Sequence, residues 1–187
     1  MIAVPGFPKL HGGAPALNFV DTVDPRVGDA AEDFLTSPES LAAWAQHAGV
    51  ARGVRVTGAA FRRAIDLREA LYRVFLAVAR GDRPAPADLT HVHDEHARAF
   101  ASAQLAADGD AFRYDVPSTA GVDAILWPLL ESAREVLAMP HRVKECPGED
   151  CGWVFLDTSR NGTRRWCSMG SCGSREKMRR YRARVRG

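Results

Sequence analysis

Cysteine is scarce in this chain, with four residues in 187, and all four fall between Cys146 and Cys172. Such crowding argues against a disulfide-stapled secreted fold, whose bridges usually join distant segments. No apolar run approaches the roughly 20 residues of a membrane span, and "MIAVPGFPKLHGG" lacks the basic segment, apolar core and cleavage site of a secretory signal. The expected setting is the reducing cytoplasm, with no membrane partner. Also missing are a Gly-rich phosphate loop, a nucleophile elbow and a metal site with an open position. No catalytic residue is assigned, and the chain reads as a non-enzyme.

The net charge of +2 hides an asymmetry. Residues 141–187 hold 12 of the 25 Lys and Arg but 5 of the 23 Asp and Glu, a net of +7 against −5 for residues 1–140. A basic C-terminal module facing an anionic partner is the expected reason. The boundary is placed between Met139 and Lys144, giving a helical domain at 1–140 and a module at 141–187.

The first of these predicts a mainly α fold. Ser37 caps a helix through "PESLAAWAQH" that stops at Gly49, and a longer central helix runs from Thr57 to Gly81. A third runs from Leu89 to about Ala107, and "DGDAFRYDVPS" offers at most one short strand or hairpin arm. In "GVDAILWPLLESAREVL", Pro128 predicts a kink or a fresh start. "ALNFVDTVD" reads equally as helix or strand. Trp44, Phe75 and Trp127 are expected to line a cavity or a self-association surface.

Cys146 and Cys151, then Cys167 and Cys172, form two pairs with four residues inside each. Four thiolates brought together by a chain that doubles back suit one structural Zn2+ at about 2.3 Å. "GWVFLD" alternates as a strand, with Trp153, Phe155 and Asp157 on one side and Val154 and Leu156 on the other. Asn161-Gly162 is a hairpin turn signal, so "RRW" is expected to return as the second strand. With the larger core elsewhere, loss of one cysteine should unfold the module and spare most of the helix.

After Cys172, "GSREKMRRYRARVRG" predicts a helix capped by Ser168 or Ser174. Met178, Tyr181 and Val185 form a stripe expected to dock on the hairpin. Arg175, Lys177, Arg179, Arg180, Arg182, Arg184 and Arg186 flank it, and Arg160, Arg164 and Arg165 on the expected hairpin would add phosphate contacts. DNA is the favoured anionic partner of these ten, although charge alone does not separate DNA from RNA.

The four cysteines with "DCGWVFLDTSRNGTRRWCSMGSCGSREKMRRY" resemble the CGNR-type zinc finger, with Ser174 where that family's name has Asn. "ALNFVDTV", "LAAWAQHAG", "LREALYRVF" and "LWPLLESAREVL" resemble the ABATE domain that precedes this finger. The resemblance implies a treble-clef-like finger (zinc knuckle, β-hairpin, helix) and a bacterial-type, nucleoid-associated transcription regulator. Its helical domain would sense a small-molecule effector or form a homodimer. Asn18, Asp21, His93 and His96 are the candidate pocket residues. The competing readings are a finger that docks an acidic protein, and a small-molecule enzyme built on the helical domain.

Overall fold

The computed structural model describes residues 6–28 and 30–186, without the side chain of Arg186. Helix α1 (Pro15–Val20) lies at the centre, with Ala16, Leu17, Phe19 and Val20 fully buried. The ambiguous segment "ALNFVDTVD" is therefore helix first and then a short strand, β1 (Val23–Asp24), paired with β2 (Glu32–Asp33). The local signals for the next two helices hold. In α2 (Pro38–His47), the Ser37 hydroxyl accepts from the Ser40 amide. In α3 (Gly58–Arg80), Thr57 caps the start and Gly81, in the left-handed conformation, ends it.

The third helix, α4 (Pro86–Ala101), stops earlier than its pattern suggests. The residues that follow form a full antiparallel hairpin, β3 (Gln104–Asp108) and β4 (Ala111–Asp115), where one arm at most was expected. Helix α5 (Asp123–Leu137) runs continuously through Pro128, neither restarted nor broken. Only the bond that Pro128 cannot donate to Ala124 is forgone.

Helices α1, α3, α4 and α5 pack around one core, to which the C-terminal segment contributes Val143, Val154 and Leu156. Strand β5 (Val143–Glu145) pairs antiparallel with β6 (Val154–Leu156). This corrects the expected hairpin: the partner of "VFL" precedes Cys146, and Arg164–Trp166 forms no strand. A π-helical turn (Met169–Gly173) carries Cys172 and leads into α6 (Ser174–Arg186). Neither serine caps α6: Ser168 makes no capping bond, and the Ser174 hydroxyl donates to the Met169 carbonyl at 2.9 Å.

Candidate metal centre and nucleic-acid interface

The alternation in "GWVFLD" places β6 between two hydrophobic environments. Val154 and Leu156 enter the helical core, whereas Trp153 and Phe155 pack with the four cysteines. All four ligand atoms lie within 4.8 Å of one another, with Cys151 to Cys167 and Cys167 to Cys172 each at 3.6 Å. Sulfurs arranged tetrahedrally at about 2.3 Å from one ion stand about 3.8 Å apart, whereas a disulfide needs about 2.05 Å. Hydrogen bonding among the sulfurs holds the Cys146 thiol down and pushes those of Cys151 and Cys167 up, so that one negative charge is shared and the others are opposed. Buried sulfurs this close need a cation to hold them as thiolates, and the set fits one structural Zn2+. The Arg175 guanidinium donates to the Cys172 Sγ at 3.1 Å, and the Cys167 amide donates to the Cys146 Sγ at 3.4 Å. Both would stabilise the negative charge that zinc ligation leaves on sulfur.

Several contacts fix this centre to the rest of the chain. The Tyr72 hydroxyl donates to the Gly152 carbonyl at 2.9 Å, the Arg26 amide to the Cys151 carbonyl at 2.8 Å, and the Trp153 indole to the Val23 carbonyl at 3.0 Å. Gly152 is required here: its φ is +66°, and a Cβ would sit 2.7 Å from Val27. Arg26 is itself held by Glu69, which also binds the buried Arg68, and Arg68 grips Asp33.

The loop between Cys151 and Cys167 is organised by groups that sequence patterns did not single out. Buried Asp157 accepts from Lys144 Nζ at 2.6 Å and from the amides of Ser159 and Arg164. Burial opposes its charge, but Lys144 and Ser159 hold its carboxyl well below the usual carboxylate range. Lys144 also donates to the carbonyls of Gly162 and Arg164. The Asp-Thr-Ser run is a turn cue that could have flagged Asp157; no local signal marks Lys144.

The ten cations expected at a nucleic-acid surface divide. Arg164 is half-buried and donates to the carbonyls of His11, Leu156, Trp166 and Cys167, with its guanidinium over the Phe155 ring. Four of its five N–H donors are thereby engaged by the chain's own backbone, which leaves one for a phosphate. Arg175 is directed to Cys172. Arg160 and Arg165 are exposed, Arg165 lying over Trp166. On α6, Arg179 and Arg180 share Glu176, while Lys177, Arg182 and Arg184 are exposed with no ion pair among the described residues. The side chain of Arg186 lies outside the described residues. Met178, Tyr181 and Val185 are exposed too, so the helix projects and does not dock on a hairpin.

The four candidate pocket residues do not meet. Asn18 accepts from the Gly12 amide, and Asp21 from the Val154 amide, beside β6. His96 instead bonds Glu131 at 2.8 Å and lies tilted against Trp127, 5.4 Å between ring centroids, with His93 exposed one turn away. Those two histidines, Phe100, Tyr114, Trp127 and Glu131 line an open cleft between α4, β4 and α5. Trp44 and Phe75 are fully buried in the helical core and do not border this cleft.

Asp21 allows a test of the α1–β6 joint. Burial pushes its carboxyl well above the usual range, and its Oδ2 has no partner. A carboxyl whose folded-state pKa is raised contributes most below about pH 4 and loses that contribution as pH rises through the folded value. Asp21→Asn should therefore raise the melting temperature at pH 7 relative to the parent and leave it little changed at pH 3. An equal shift at both pH values would show that charge is not the cause.

Among the described residues, no helix is long and apolar enough to cross a membrane. A comparison with curated proteins finds no match. The family model for the CGNR zinc finger matches residues 142–185, over the four cysteines and α6. A second model, described as "ABATE: Putative stress-induced transcription regulator", matches residues 13–140. Neither is an enzyme family. With that match covering more than half of its length, the chain belongs to the ABATE family and carries a CGNR zinc finger at its C-terminal end.

Proposed function

We propose that the protein is a transcription regulator that binds duplex DNA through α6. The observation that carries this reading is the projection of α6 from the zinc centre with Lys177, Arg182 and Arg184 exposed and unpaired among the described residues. An arginine-rich helix on a rigid base is sized for the major groove. Arg160 and Arg165 extend the cationic surface across the preceding loop. The cleft between α4, β4 and α5 is the candidate effector site, since three aromatic rings and the His96–Glu131 pair converge on it. Such a protein would work in the cytoplasm, on the nucleoid.

With about four to five phosphates neutralised, the log–log slope of affinity against salt should be roughly −4. Replacing Arg182 and Arg184 together by Ala should flatten it by about 2. Titration of labelled genomic duplexes at several salt concentrations measures both. Failure of any duplex to bind below about 100 µM at physiological salt would remove the DNA reading. Retention of an acidic protein by the same helix would put the interaction-module reading in its place.

A further inference from the structure

The β3–β4 ribbon is amphipathic but bare. Its register pairs Leu105 with Tyr114 and Ala107 with Phe112, so these four side chains share one face. Residues one position along, Ala106 and Arg113 among them, lie on the other face, where Arg113 pairs with Asp108 and Asp115. Alternation of this kind belongs to a sheet with one covered face. Yet Leu105 is 62%, Phe112 72% and Tyr114 48% exposed. Phe100 of α4, 44% exposed, meets Tyr114 edge-to-face at 5.0 Å and extends the same apolar surface onto the helix. A two-stranded ribbon without a covered face is marginal in water.

The chemistry narrows what covers it. Residues 104–115 carry Asp108, Asp110 and Asp115 against Arg113. That negative balance disfavours a nucleic acid or an anionic bilayer at this face, whatever its rings might stack on. The outer part of the face, Leu105 and Phe112, is not part of the cleft that Tyr114 borders, so a small molecule in the cleft would leave it uncovered. An apolar face is suited to meeting a copy of itself about a two-fold axis here, because Arg113 and its partners Asp108 and Asp115 lie on the opposite face and keep like charges out of the seam.

The area is adequate as well. Aromatic residues bury about 150–250 Å² each, so the exposed parts of Phe100, Phe112, Tyr114 and Leu105 amount to on the order of 400 Å². A standard interface takes about 800 Å² from each partner, a little over half of it apolar.

We propose that this ribbon face, extended by Phe100, is the interface of a two-fold homodimer, in which the ribbons of two copies stack face to face about 10 Å apart. The inference goes beyond the DNA reading and does not depend on it, because α6 contributes nothing to this face. Pairing two chains would also present two zinc-supported helices at once, with the gain in avidity that a shared assembly confers.

Sedimentation equilibrium of the full-length, zinc-loaded protein without DNA is the test. At tens of micromolar, the expected mass is twice the 20.4 kDa of one chain. Phe112→Asp with Leu105→Asp should raise the dimer dissociation constant at least about 100-fold. Both positions are exposed within the chain, so the circular dichroism of the helices should not change. Amide exchange over residues 104–115 should slow as parent concentration rises and become concentration-independent in the double variant. A parent protein that stays monomeric at about 100 µM overturns the proposal, as does a dimer that the double variant leaves intact. Arg182→Ala with Arg184→Ala should remain dimeric, so failure of DNA binding and failure of dimerisation are read separately.

Discussion

Removing zinc with a chelator, or replacing Cys167 by Ser, is expected to lower the melting temperature of the whole chain by about 10 °C or more. The cause is the position of β6. Its Trp153 and Phe155 pack on the cysteines, while Val154, Leu156 and their neighbour Val143 belong to the helical core. Structural zinc in small fingers contributes roughly 10–16 kcal/mol of apparent binding energy, without which the ligand loops do not hold. If those loops release β5 and β6, the core loses three apolar side chains, each worth about 1.5–3 kcal/mol when buried. For a chain of this size, each kcal/mol corresponds to about 2–4 °C. The bonds from Tyr72, Arg26 and Trp153 across the same junction would be lost with them. Calorimetry with circular dichroism at 222 nm measures the effect, and readdition of one equivalent of Zn2+ should restore the chelated protein. Apoprotein whose helices melt within about 2 °C of the parent would mean that the finger unfolds alone, as the clustered cysteines by themselves suggest.

Arg164→Ala is expected to cost about 3 kcal/mol, whereas Arg165→Ala should cost less than about 0.5 kcal/mol. The two arginines are adjacent and alike in sequence, but only Arg164 is enclosed. Its donors satisfy the carbonyls of Trp166 at 3.1 Å, Leu156 at 3.3 Å and His11 at 2.7 Å, together with that of Cys167. Its guanidinium lies 4.5 Å from the Phe155 ring centroid. Truncation leaves several half-buried carbonyls without donors and uncovers an aromatic ring beside the cysteines. A loss of roughly 6–12 °C follows, again at about 2–4 °C per kcal/mol. The salt dependence of DNA binding makes the reverse comparison. Measured well below the melting range, Arg164→Ala should keep the parent slope, whereas Arg165→Ala should flatten it by about 1 if that side chain meets a phosphate. An Arg164→Ala protein of parental stability with a flattened slope would show that this residue serves DNA and not the finger's own backbone.

Much of the local structure was legible because its causes lie within a few residues. Ser37 and Thr57 cap the helices they precede, and Gly81 ends α3 where a left-handed residue is needed. The four cysteines sit close enough in sequence that short loops alone can bring their sulfurs together. Strand alternation correctly separated Trp153 and Phe155 from Val154 and Leu156. Periodicity also put Met178, Tyr181 and Val185 on one stripe of the last helix, but it carried no information on what that stripe would meet.

What only the tertiary structure decided are pairings between distant residues. Strand β6 chose Val143–Glu145 over Arg164–Trp166, since Lys144 can then reach Asp157 and bind the loop that the Asn161-Gly162 turn begins to reverse. The ribbon at residues 104–115 displaced the end of a predicted helix, because its apolar residues pair across strands and do not continue the helical face. The fates of Arg164 and Arg165 diverged because burial depends on which carbonyls the surrounding fold leaves without donors. Sequence periodicity specifies which side chains share a face, whereas the partner of that face is set by chain segments that only folding brings within a few ångströms.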